Sequence, residues 1–359
     1  MSIETPPKVL RLQNIQALRG IAALLVAFSH LLIIERKYSN DQVLGQWIEL
    51  GMVGVDLFFV ISGFIMVHVA WSFRRGLKAV SEFLFARATR IYPLYWLITA
   101  VTFAVWLWRP EIVFSSMADQ PDMLKSVLLI PDDHLPFFAI GWTLIHEMFF
   151  YLVFALALVF KPKFMLPFLA LWAVVLGFGI YNGWDGPSPL LEILFNPLSF
   201  EFLFGAFSAW ILKMYNAPLA KTALALGIVA SITCLALALD RHDGMPATFA
   251  DRALLFTVPC TLIVYGLSAI EIHGKTLSNA LSKLGDWSYS LYLTHIMSLS
   301  LIGRVWRKIE QPGNLDNIIV LAFMPIFAIF VSWLCYRFAE KPMLNAAKKA
   351  RGKLFPRPT

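Results

Sequence analysis

The chain is poor in charge. Asp, Glu, Lys and Arg make up 15% of its 359 residues, where a soluble protein carries closer to a quarter. That excludes an ordinary pair of water-soluble globular domains. Cysteine is scarce too. Cys234, Cys260 and Cys335 each lie inside an apolar segment, at no spacing that a metal or disulfide framework uses. They are expected to pack as small apolar side chains. Long polar segments are missing. The longest loop, 109–137, is acidic and contains proline, so no soluble catalytic domain is expected and any chemistry falls to the apolar segments. No internal repeat relates the two halves, which argues against the paired broken helices of many secondary transporters.

Apolar residues, in contrast, are abundant: 58% of the chain, with a mean hydropathy of +0.68. Runs of about 18 apolar residues or more recur, enough to cross a hydrocarbon core of roughly 30 Å. Lipid admits only helices and closed barrels. The pattern predicts an all-α polytopic bundle of ten transmembrane helices, near 17–34, 52–73, 91–108, 138–160, 164–181, 196–212, 219–239, 253–270, 286–303 and 317–336. The apolar stretch after the polar N-terminus is too long for a cleaved leader, so the first span is expected to be retained.

The basic residues are unevenly distributed. With ten spans, 20 of the 30 Lys and Arg fall on the side of the N-terminus and nine on the other, while the acids divide five against fifteen. The positive-inside rule then makes both termini cytoplasmic. The net charge of +7 reflects this topology, and no nucleic-acid partner is expected. The loop with Arg304, Arg307 and Lys308 runs against the trend. The expected division is a cytoplasmic N-terminal segment over 1–16, a transmembrane domain over 17–338 and a basic cytoplasmic tail over 339–359.

An ionisable residue inside a span is expensive and therefore a functional candidate. The candidates are Arg19, His30, Asp56, His68, His146, Glu147, Glu201 and His295. Arg19 and His30 are eleven positions apart, three helical turns, so they share a face about 16 Å apart along the axis. Ala22, Ala23 and Ala27 between them suggest the wall of a tunnel. In "GVDLFFVISGF" (54–64), Asp56 calls for a histidine or arginine partner, and Gly51, Gly54 and Gly63 permit close helix approach. "RATRIYPLYW" (87–96) sets Arg87 and Arg90 on one side of a helix. That pair reads either as positive-inside anchoring with an aromatic belt or as a phosphate clamp. "GWTLIHEMFFYL" (141–152) carries Glu147, with His146 pointing elsewhere, and "SYSLYLTHI" (288–296) brings Tyr292 and His295 to mid-membrane. His68 and Glu201 fall near helix ends, where boundary residues are common.

Taken in order, these motifs and a closing "EKP" (340–342) resemble the membrane acyltransferase-3 family from about residue 13 to 342. The opening "NIQALRGIAALLVAFSH" is most similar to its exopolysaccharide, succinoglycan-type O-acetyltransferase branch. The resemblance implies transfer of an acetyl or other short acyl group, such as succinyl, from cytoplasmic acetyl-coenzyme A to a hydroxyl of an exopolysaccharide or other surface-glycan sugar. The acceptor would be lipid-linked or polymeric, the location the bacterial cytoplasmic (inner) membrane, and polysaccharide assembly proteins further partners. No metal is implied. The family's Arg–His pair falls on Arg19 and His30, and its RxxR pair on Arg87 and Arg90. Some members carry an additional hydrolase-like domain that is not expected here.

On this reading Arg19, Arg87 and Arg90 bind the donor's phosphates. His30 acts either as general base or as a transient acyl carrier, and Asp56 or Glu147 orients it. Ser62, Trp142, Tyr292 and His295 are candidates for contacting the acceptor or the oxyanion. The rival readings are a proton-coupled transporter or flippase of a glycan precursor and a non-catalytic scaffold.

Overall fold

The computed structural model describes residues 12–71, 75–113, 121–311 and 313–356. The first eleven residues of the expected N-terminal segment, part of the 109–137 loop and the last three tail residues lie outside the described residues. Those described form helices and no strands. The principal helices are α1 (Gln13–Tyr38), α2 (Val53–Ala70), α3 (Leu77–Trp108), α4 (Gly141–Ala157), α5 (Met165–Tyr181), α6 (Ser199–Met214), α7 (Ala220–His242), α8 (Phe249–Ile272), α9 (Ser288–Ile309), α10 (Asn314–Cys335) and α11 (Lys341–Leu354).

Among the described residues, eight helical stretches are long and apolar enough to cross a membrane: 13–38, 46–70, 77–108, 162–181, 189–214, 220–242, 249–272 and 314–354. The protein is therefore a multi-pass membrane protein. Two of the ten expected spans fall outside this set. Helix α4 is apolar but only 17 residues long. Helix α9 has 22 residues, but its serines, Tyr292, His295, Arg304, Arg307 and Lys308 lower its hydropathy.

The chain divides into two compact units, residues 1–73 with 197–334 and residues 74–196 with 335–359. In the first, the polar ends of α1 are tied into the fold. The Glu271 carboxylate accepts the backbone N–H groups of Gln13 (2.6 Å) and Asn14 (2.7 Å), an anion placed against the positive end of a helix. The Asn14 side chain donates to the Leu267 carbonyl at 2.9 Å and accepts the Leu277 N–H at 2.7 Å. Near the other end, buried Glu35 accepts the N–H groups of Val43 (2.8 Å) and Leu44 (3.0 Å). Apolar packing fills the space between. Ala23, Leu31, Ile34 and Tyr38 of α1 form a buried cluster with Leu291, Leu299 and Trp306 of α9 and Leu321, Met324 and Ala328 of α10. Helices α2 and α6 meet through reciprocal glycines: a methyl on Gly63 would overlap the Phe202 carbonyl, and one on Gly205 the Val60 carbonyl. This is the small-residue contact that lets membrane helices pack closely.

In the second unit α3 runs for 32 residues, about 48 Å at 1.5 Å per residue. The span expected from hydropathy, 91–108, is its C-terminal half. Arg87 and Arg90 interrupt the apolar run without interrupting the helix. The aromatic residues after them hold a loop: Tyr92, Tyr95 and Trp96 donate to the carbonyls of Leu128, Ser126 and Val127 at 2.8, 2.7 and 2.9 Å. Phe83 of α3 packs against Tyr151 and Phe154 of α4, and Phe150 stacks on Trp172 of α5 at 5.5 Å. A π-helical turn, Tyr336–Glu340, leads into α11, which packs along α3.

Candidate active site

Arg19 and His30 both lie on α1 and are both half-buried. The stretch between them is closely packed. Ala22, Ala23 and Ala27 are 0%, 0% and 2% exposed, so they pack against neighbouring helices. Ala23 belongs to the apolar cluster, and the Ala22 carbonyl lies where a methyl on Gly54 would sit. These alanines are small because helices cross there.

His30 Nδ1 lies 2.7 Å from the Val26 carbonyl, four residues earlier. A carbonyl only accepts, so Nδ1 carries the hydrogen and Nε2 keeps its lone pair. The ring meets His295 edge-on, with centroids 5.0 Å apart and planes at 64°. His295 repeats the arrangement, with Nδ1 2.7 Å from the Tyr292 carbonyl and 3.1 Å from that of Leu291. Its buried Nε2 has no hydrogen-bond partner. The buried Tyr292 ring lies 5.9 Å from His295 and 5.9 Å from Phe58. Ser62 is half-buried on α2.

The carboxylates expected to orient His30 have other partners. Asp56 takes the arginine alternative: its Oδ2 accepts from Arg252 Nη2 at 2.8 Å, with side-chain exposures of 0% and 6%. Glu201, fully buried, interacts with both groups, which corrects its reading as a boundary residue. His68 stacks on Phe64, one turn earlier. Cys260 is buried, Cys234 and Cys335 are half-buried, and no disulfide links any of the three.

In the second unit Glu147 accepts the hydroxyl of Tyr151, one turn along α4. The Arg87 guanidinium lies 5.7 Å from the rings of both Phe83 and Tyr151 and interacts with the Tyr151 hydroxyl. Arg90 is ion-paired with Glu340 at 2.5 Å. Trp142 is half-buried in the first turn of α4, and His146 is buried. Among the described residues no group of three or more His, Cys, Asp or Glu is placed to hold a metal ion.

Three residues were missed in the sequence. Arg252 counts there as a loop charge, yet it lies in the first turn of α8, where lone-acid Asp56 was the signal that a cation had to come from elsewhere. Glu340 is the acid of "EKP", conspicuous in a tail otherwise basic. The three guanidinium nitrogens of Arg75 are buried without a hydrogen-bond partner, and burial pulls that group below its usual range. Nothing in the sequence distinguishes it from Lys78.

A multi-pass helical bundle with imidazoles, carboxylates and guanidiniums held inside its helices defines a membrane-embedded protein whose bundle itself carries reactive groups. The sequence profile of the Acyltransferase domain family (Acyl_transf_3) matches residues 12–337, and the chain belongs to that family. It is thus an enzyme, an O-acyltransferase. It is 30% identical over 322 residues to the exopolysaccharide production protein ExoZ of Rhizobium meliloti, covering 86% of this chain and 94% of that protein. With the acyltransferase MdmB of Streptomyces mycarofaciens the identity is 29% over 385 residues, covering 96% and 95%. With the O-acetyltransferase OatA of Staphylococcus aureus it is 23%, covering 85% of this chain and 54% of that protein. No solved structure matches the chain.

Proposed function

We propose that this chain transfers an acetyl or other short acyl group from cytoplasmic acetyl-coenzyme A to a hydroxyl of an exopolysaccharide or other surface-glycan sugar. On this reading it crosses the bacterial inner membrane ten times, with α4 and α9 added to the eight strongly apolar stretches and both termini in the cytoplasm. A helix of 17 residues is about 26 Å long, near the lower limit for a crossing. The polar residues in the first half of α9 are turned inward, since Ser288, Ser290, Thr294, His295 and Ser298 are all buried.

One observation carries the mechanism: His30 is fixed by the Val26 carbonyl in the tautomer that leaves Nε2 basic. That nitrogen takes the proton of the acceptor hydroxyl as its oxygen attacks the thioester carbonyl. The O–H and C–S bonds break, the ester C–O bond forms, and the proton returns to the thiolate of coenzyme A. Arg19, Arg87 and Arg90 are assigned to the donor's phosphates, for which paired guanidiniums suit the anionic oxygens. Because Arg90 is held by Glu340, phosphate competes there with an internal carboxylate. Asp56 and Glu147 act indirectly, by fixing Arg252 and the Arg87–Tyr151 pair. Ser62, Trp142 and Tyr292 remain the candidate contacts to acceptor or oxyanion.

The test uses the detergent-solubilised full chain. Acetyl-coenzyme A is expected to raise its unfolding temperature, and deletion of the protein is expected to remove O-acyl esters from the cell's surface glycans. A transporter of glycan precursors predicts no stabilisation by the thioester. An unchanged ester profile overturns the glycan assignment.

A further inference from the structure

The sequence reading gave His295 to the acceptor or the oxyanion. Stabilising an oxyanion requires a donor, and the ring nitrogen free to act there has none. His295 Nδ1 is directed at the carbonyls of Tyr292 and Leu291, so its hydrogen is spent on the backbone, and the buried, unpartnered Nε2 presents a lone pair. His30 Nδ1 is likewise held by the Val26 carbonyl, which leaves its Nε2 the lone pair. Two helices, α1 and α9, thus bring two imidazoles of the same tautomer edge-on at 5.0 Å. Where a catalytic histidine is usually steadied by a carboxylate, the carboxylates expected here are bound to Arg252 and Tyr151.

We infer that His295 is a second catalytic base, and that the two imidazoles hold between them the one proton lifted from the acceptor hydroxyl. The inference rests on the acyl-transfer reading above and assigns a residue within it. When the hydroxyl oxygen bonds to the acyl carbon, its proton passes to His30 Nε2. A lone imidazolium in a dry site is costly, and the neighbouring lone pair on His295 Nε2 shares the charge. The proton then goes to the thiolate released by cleavage of the carbon–sulfur bond, so both imidazoles end neutral. Two bases in series also separate the proton's point of uptake from its point of return.

The experiment follows thiol release from acetyl-coenzyme A by the solubilised full chain, with polysaccharide extracted from the strain that carries it as acceptor. His295→Gln keeps a polar atom near the Nε2 position but cannot take a proton, and His295→Phe keeps the ring's shape. Both are expected to lose about 10²- to 10⁴-fold in kcat, with little change in donor KM. In mixtures of light and heavy water the wild type should give a curved rate dependence, and the residual rate of His295→Gln a linear one. A purely structural role leaves that curvature unchanged. If His295→Gln stays within threefold of wild type while His30→Ala is inactive, the second base is overturned and the acyl-transfer reading stands. If His30→Ala is also active, the base assignment itself falls. Nitrogen-15 spectra of the histidine-labelled protein need no substrate: a hydrogen on His295 Nε2 in the resting state overturns the pairing whatever the donor.

Discussion

The ion pair of Asp56 in the first unit and that of Arg90 in the second are buried to different depths. In the first, Asp56 and Arg252 have side-chain exposures of 0% and 6% and share their surroundings with Glu201. In the second, Arg90 retains 24% exposure against 2% for Glu340, and Arg87 lies on aromatic faces with Tyr151 and Glu147 nearby. Desolvation makes the first kind of pair rigid and costly to break. A guanidinium that still reaches solvent can change partner at less cost.

The largest effect is expected at the imidazoles. His30→Ala should lower turnover by about 10²- to 10⁴-fold with the unfolding temperature little changed. If unfolding moves as far as turnover, the residue belongs to the packing. Next comes the deep ion pair. Arg252→Met leaves two buried carboxyls without their cation and should destabilise the protein by about 3–5 kcal/mol. Adding Asp56→Leu should restore part of that loss in thermal or denaturant unfolding. A double variant no more stable than the single one means that the pair does not act as a unit.

The second unit should respond through binding. Arg90→Gln is expected to weaken the coenzyme A Kd, and Glu340→Gln to strengthen it by removing the competing carboxylate. Calorimetric titration with coenzyme A checks both, and opposite signs are required. The smallest effect lies at an exposed pair. Lys125 donates to Asp132 at 2.6 Å and holds that carboxyl below its usual value of 3.8. A depressed carboxylate stabilises the fold above that value and loses the contribution as pH falls through its folded pKa. At this exposure the contribution is screened, so Lys125→Met should raise the Asp132 titration toward 3.8 in NMR while leaving stability unmoved.

Much of the helical framework was legible because burial in lipid leaves a one-dimensional signature. Each of the ten expected segments lies largely within a principal helix. The exceptions in length have physical causes. Charges at Arg87 and Arg90 hid the first half of α3, since hydropathy reads polarity while a helix needs only satisfied backbone and tolerable side chains. The candidates His30, Asp56, Glu147 and His295 were also legible, as polar residues in apolar surroundings. Their partners were not. Asp56 required a cation, but Arg252 lies 196 positions away in the chain. The alanines of α1 illustrate the same limit: small residues at helical spacing fit a channel wall and a helix crossing equally well.

The sequence by itself determined the solvent, the helices and the inventory of reactive groups, because hydropathy and side-chain chemistry are properties of single residues and short windows. Only the tertiary structure decided which groups meet. It joined Asp56 to Arg252 and Arg90 to Glu340 as ion pairs and set the rings of His30 and His295 edge-on, because packing decides which side chains come within reach. Packing joins positions that no local pattern connects.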